Sequence, residues 1–138
     1  MTREFQLQWM EDMAFEGQLD GHRLLLDADA SVGGKDRGPR PKGLLLVSLA
    51  GCTAMDVISI LKKMREPVSW FNVKVDGDLT EEHPKKFTSF KVIYQFKKSD
   101  GLNEQNVLKA VELSQNKYCG VSATLKDAHE VAWEVEYI

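Results

Sequence analysis

At 138 residues, with 43% hydrophobic and 28% charged side chains, the chain is expected to fold as one domain over residues 1–138 whose core needs no disulfide staples. Its 18 basic and 21 acidic residues give a net charge of −3, which argues against a nucleic-acid partner, since phosphate binding calls for a basic excess or patch. Two cysteines do not make the dense framework of a small secreted protein. The opening MTREFQLQWM alternates charge and bulk rather than forming an apolar export segment, so the expected compartment is the cytoplasm.

Phe5, Leu7 and Trp9 alternate with Glu4, Gln6 and Gln8, the period of a half-buried strand. Met13 and Phe15 continue a second run, and Asp20-Gly21 is a turn signal before HRLLLDAD, so the first thirty residues read as an antiparallel meander of about three strands. SVGGKDRGPRPKG, with Lys35, Arg37, Arg40 and Lys42, reads as a loop. Gly33-Gly34-Lys35 lacks the spacing and the following Ser or Thr of a phosphate-binding loop, since Asp36 stands there instead.

From about Pro41 to Arg65 an apolar helix is expected, with Pro41 suited to its first turn and Lys62, Lys63 and Arg65 complementing the dipole at its end. Its middle, LLLVSLAGCTAMDVISIL, is interrupted by Ser48, Thr53, Asp56 and Ser59, so a buried core helix is expected and not a membrane span. Phe71, Val73 and Val75, then Phe90, Val92, Tyr94 and Phe96, mark two strands of a long hairpin around LTEEHPKKF. Asn103 caps a second helix, with Leu102 and Val107 as a hydrophobic staple. Cys119-Gly120 follows that helix, and Val131, Trp133, Val135 and Tyr137 form a closing strand. The class is α+β, an antiparallel sheet with two main helices, one long and buried. A helix apolar on nearly every side is hard to cover with so small a sheet, and the same helix of a second copy would cover it, so a homodimer is expected.

His22, His83 and His129 lie far apart, and neither cysteine has a cysteine or histidine neighbour at metal-ligand spacing, so no metal is expected. The candidate chemistry is left to Cys52 and Cys119, which are either ordinary core thiols or a redox pair. For Cys52 to react as thiolate, a nearby cation must offset its burial. The loop supplies cations, yet Lys42 lies about 15 Å from Cys52 along a straight helix. Two copies packed antiparallel through their long helices would let the loop of one approach the cysteine of the other.

RPKGLLLVSLAGCTAMDVISIL together with LSQNKYCGVSATL resembles the OsmC and Ohr family of osmotically induced and organic hydroperoxide resistance proteins, in particular its OsmC-like branch. The resemblance covers the whole chain and implies an intertwined α+β homodimer. It maps a peroxidatic thiol onto Cys52 and a resolving thiol onto Cys119. In the family's peroxidases the first thiolate attacks the peroxide, an alcohol leaves, and the resulting sulfenic acid condenses with the second cysteine to a disulfide that an external dithiol reduces. No bound cofactor is implied, and the apolar setting favours a small hydrophobic hydroperoxide as substrate.

The chain departs from the family pattern at the start of the long helix, where the peroxidases carry a glutamate paired with an arginine and this sequence has Lys42-Gly43. The family's arginine position aligns with Leu19. Arg40, closest to the helix start, is the candidate substitute, with Arg37 as the other choice. The missing glutamate also favours an alternative: a non-catalytic OsmC-like dimer that binds a small hydrophobic ligand at its interface.

Overall fold

The computed structural model describes residues 1–138. The architecture is α+β, as expected, with six strands divided between two three-stranded sheets. The chain forms two compact units, Met1–Leu45 and Leu46–Ile138.

The first unit is the meander read from the sequence: β1 (Leu7–Glu11), β2 (Ala14–Leu19) and β3 (His22–Leu26), antiparallel throughout. The β2–β3 turn is made by Asp20 and Gly21, both at positive φ (52° and 81°), which matches the right-handed twist of the strands it joins. One expectation fails here. The β1 strand is not half-buried: all five of its residues are exposed, Trp9 at 60%. A three-stranded sheet with no helical layer of its own has nothing to lay over this strand, so alternation alone did not secure burial.

The segment after β3 is irregular, as its Gly and Pro content requires, and is organised by one buried carboxylate. Asp27 accepts hydrogen bonds from the backbone N–H groups of Ala28 (2.8 Å), Lys35 (3.3 Å) and Arg37 (3.2 Å) and from Arg37 Nε (2.7 Å). Gly34 is needed where the loop folds back, because a Cβ there would lie 1.9 Å from the Ala28 carbonyl oxygen.

In the second unit, β4 (Phe71–Leu79) and β5 (Phe87–Phe96) form the expected long hairpin, and β6 (Glu130–Tyr137) adds to β5. The β5–β6 pair is parallel, the one exception to antiparallel pairing. A parallel return needs a crossover, and the helices between β5 and β6 supply it. As the central strand, β5 contributes a near-continuous apolar run to the core: Phe90, Val92, Ile93, Tyr94 and Phe96 are all buried.

The long helix α1 (Leu44–Lys63) follows a short 3-10 turn at Pro41–Gly43. Its buried residues, Leu49, Thr53, Val57 and Leu61, recur every fourth position and form one stripe. The expectation of burial on nearly all sides is corrected within the single chain, where Leu45, Val47 and Met55 are exposed at 43%, 65% and 73%. By length and composition α1 could cross a bilayer, but the buried stripe packs into a core with β5 and the second helix.

That helix, α2 (Glu104–Leu113), is capped as anticipated: Asn103 Oδ1 accepts from the N–H groups of Gln105 and Asn106. Leu102 and Val107 join the same core. The helix then widens into a π-helical turn, Ser114–Tyr118, closed by a bond from Cys119 N–H to the Ser114 carbonyl five residues back (2.8 Å). A third helix, α3 (Gly120–Lys126), was not expected; Gly120 redirects the chain into it instead of ending regular structure.

Candidate active site

Cys52 and Asp56 lie one turn apart on α1, a spacing that puts both side chains on one helix face. Cys119 arrives from the other side as the cap residue of α3, its Sγ accepting from the Ser122 N–H at 3.4 Å. The two sulfurs and a carboxylate oxygen of Asp56 all lie within 4.8 Å of one another. Both cysteines are free thiols; Cys52 is half-buried and Cys119 is 3% exposed. Burial pushes the Cys119 thiol up to about 11, the Cys52 and Asp56 side chains add to the effect, and the Ser122 N–H opposes it.

A chain of buried hydrogen bonds surrounds this cluster. Ser114 Oγ donates to Asp56 Oδ2 (2.9 Å) and lies 2.8 Å from Thr53 Oγ1, which in turn lies 2.6 Å from the Tyr94 hydroxyl. Gln115 Nε2 donates to Tyr94 (2.7 Å), and Ser122 Oγ donates to Gln115 Oε1 (2.7 Å). Each hydroxyl has one proton, so the direction is fixed once Ser114 gives its proton to Asp56: Thr53 must donate to Ser114, and Tyr94 to Thr53. Every proton along the chain points toward the Asp56 carboxylate. The π-helical turn contributes two of these side chains, Ser114 and Gln115, from successive positions. Such a turn adds a residue to the helical repeat and re-aims the side chains beyond it.

The sequence-derived candidates are thus met unevenly. Cys52 and Cys119 come together. Arg37 and Arg40 are found in the first unit engaged with its own acids: Arg37 with Asp27, Glu11 and Asp12, and Arg40 with Asp36 and Asp29. Asp56, Thr53, Tyr94, Ser114, Gln115 and Ser122 were not singled out as a network. The available signal was Asp56 four positions after Cys52; Thr53 shares α1, while Tyr94, Ser114, Gln115 and Ser122 come from β5, the π-helical turn and α3, which no local spacing connects.

Comparison with known proteins decides the family. Residues 33–134 match the OsmC family model, described as OsmC-like protein. The chain belongs to the OsmC-like family. It is 33% identical over 133 residues to Protein YhfA of Escherichia coli K12, covering 96% of each chain. Among solved structures, a hypothetical protein from Aquifex aeolicus VF5 is 29% identical with a TM-score of 0.80, covering 100% of this chain and 98% of that one. An organic hydroperoxide resistance protein OsmC from Legionella pneumophila shares the fold at 17% identity (TM-score 0.69, covering 99% and 97%).

Proposed function

We propose that this OsmC-like protein is a thiol-based redox protein that reduces organic hydroperoxides, with Cys52 as peroxidatic and Cys119 as resolving thiol. The observation that carries this reading is the approach of two free thiols of unequal exposure. The greater accessibility of Cys52 supports it as the thiol that meets substrate, and the burial of Cys119 supports it as the thiol that meets the product of that encounter. The Cys52 thiolate attacks the outer peroxide oxygen, the O–O bond breaks, and the alkoxide takes a proton to leave as alcohol. The Cys119 sulfur then attacks the Cys52 sulfenic acid, water leaves, and a disulfide forms. An external dithiol returns both thiols by exchange.

The functional unit in this reading is a homodimer. Val47 and Met55 are large apolar side chains left open on α1, and a second copy covers them. The dimer also supplies what the second unit lacks beside Cys52, a guanidinium, with Arg40 as first choice and Arg37 as second. A consumption assay with an organic hydroperoxide tests the reading. Cys52→Ser should fall to the rate of buffer, while Cys119→Ser should accumulate a sulfenic acid that a dimedone probe traps. Equal consumption by wild type and Cys52→Ser would overturn it.

One observation favours the ligand-binding alternative. The first unit holds an apolar cavity of about 370 Å³ lined by Leu7, Met13, Phe15, Leu26, Val32 and Pro41, with Arg40 also on its wall. Its size suits a small hydrophobic molecule. Loss of peroxide consumption together with saturable binding of a hydrophobic fluorophore would select this alternative.

A further inference from the structure

We infer that Cys52, Asp56 and Cys119 form a binding site for one thiophilic divalent cation of the Zn²⁺ class, held through two sulfurs and one carboxylate oxygen. The sequence excluded a metal because no cysteine or histidine stands at ligand spacing along the chain. The fold overrides that reasoning by bringing two distant cysteines and a one-turn aspartate to within 4.8 Å of one another. A tetrahedral ion with the usual Zn–S and Zn–O lengths needs ligand atoms about 3.5–3.8 Å apart, so side-chain rotations of an ångström or less close the site. Three protein donors leave a fourth position for water or a solute.

The surroundings suit an ion in two further ways. The partner of the Asp56 carboxylate is a hydroxyl, Ser114 Oγ, rather than an ammonium or guanidinium. No side-chain cation of the second unit therefore neutralises the cluster at this point, and a bound ion would. In addition, two of the three donors already have an orienting hydrogen bond: Ser114 Oγ to Asp56, and the Ser122 N–H to Cys119 Sγ. Partners of this kind fix ligand orientation in metal sites. Two sulfurs in the donor set select a soft or borderline ion over Mg²⁺ or Ca²⁺. Binding replaces both thiol protons, which leave to solvent, and no electron moves.

Metal and disulfide use the same two sulfurs, so they exclude one another. Binding of the ion stands independently of the peroxide reading; only its consequence, that the ion shields the thiols from hydroperoxide, rests on that reading. The test is titration of the reduced full-length protein with Zn²⁺ against a chromogenic chelator, followed by the Co²⁺ spectrum. The expected result is one ion per chain with a thiolate-to-Co²⁺ charge-transfer band, which is absent in Cys52→Ser and Cys119→Ser. Asp56→Asn, which preserves shape and an acceptor for Ser114, should weaken Zn²⁺ roughly tenfold or more. Prior oxidation to the disulfide should abolish binding.

Reduced wild type that takes up no stoichiometric Zn²⁺ would overturn the inference, as would uptake unchanged in both cysteine variants, which would place the ion elsewhere. If a serine variant fails to fold, Zn²⁺ protection of Cys52 from alkylation, compared between wild type and Asp56→Asn, gives the same decision: equal protection or none sinks the site. A protein that binds Zn²⁺ but consumes no peroxide keeps this inference and loses the proposed function, and the converse holds.

Discussion

The Tyr94 hydroxyl lies 2.6 Å from Thr53 Oγ1 inside the core, tying β5 to α1 one residue beyond Cys52. Tyr94 and Thr53 are both fully buried, so neither oxygen can turn to water if the other is lost. Tyr94→Phe should therefore leave Thr53 and Gln115 short of a partner and cost about 1–3 kcal/mol of stability, read by chemical denaturation. Tyr137→Phe is the contrasting change. The Tyr137 hydroxyl is buried with no hydrogen-bond partner, so its removal should leave stability unchanged or slightly raised. A loss from Tyr94→Phe no larger than that from Tyr137→Phe would show that the hydrogen bonds of the Tyr94 hydroxyl do not carry the effect.

Cys119 makes stability fall at high pH. Its folded thiol stays protonated up to about 11, while an unfolded thiol ionises at about 8.5. Above the lower value the unfolded chain releases a proton that the folded protein keeps, so the unfolded state gains as pH rises to about 11. The loss is bounded at about 3 kcal/mol for one group shifted this far. Tyr94 and Tyr137, also pushed up by burial, act in the same direction, so the informative quantity is the difference between wild type and Cys119→Ser. With a chelator present, the wild-type curve should bend down more steeply than the variant's between these limits.

Asp27 gives the opposite sign at the acid end. The Arg37 guanidinium first, and then backbone N–H groups of Ala28, Arg37 and Lys35, hold its carboxyl well below the usual carboxylate range despite burial. The stabilisation is complete above the unfolded value of about 3.9 and is lost as pH falls below it. Arg37→Ala should cost about 2–3 kcal/mol near neutral pH, because it leaves a buried charge without its strongest partner. Proteolysis should then locate the first opening in the segment after β3.

The contrast between these groups explains how far the sequence could be read. Features made by near neighbours or by consecutive elements were legible: the Asp20-Gly21 turn and the Asn103 cap rest on contacts within a few residues, and the β4–β5 hairpin pairs two alternating runs that follow one another in the chain. The two cysteines were legible as a pair through the family pattern around each of them. The exposed β1 strand was misread, because Phe5, Leu7 and Trp9 satisfy the alternation rule whether or not another layer covers them. The hydrogen-bond chain was illegible for a related reason. Thr53, Tyr94, Ser114, Gln115 and Ser122 are ordinary within their own elements and acquire a role only where α1, β5, the π-helical turn and α3 meet.

Whether Arg40 activates Cys52 across a dimer can be decided by mixing variants. Arg40 binds Asp36 and Asp29 through its guanidinium, and the loop that carries it belongs to the first unit, whereas Cys52 belongs to the second. Arg40→Ala should slow Cys52 alkylation and peroxide consumption several-fold, since a cation beside a half-buried thiol favours the thiolate. Arg37→Ala, by contrast, should act mainly on stability through Asp27. If the guanidinium is supplied by the partner copy, Cys52→Ser chains are inactive alone and Arg40→Ala chains are slowed several-fold. Unfolded together and refolded, they form mixed dimers in which the Cys52 of one faces the Arg40 of the other. Consumption by the mixture should then rise well above the sum of the two parents. A sum without gain, together with a wild type that remains a folded monomer in dilute solution, would remove the shared site and leave Cys52 without help from Arg40.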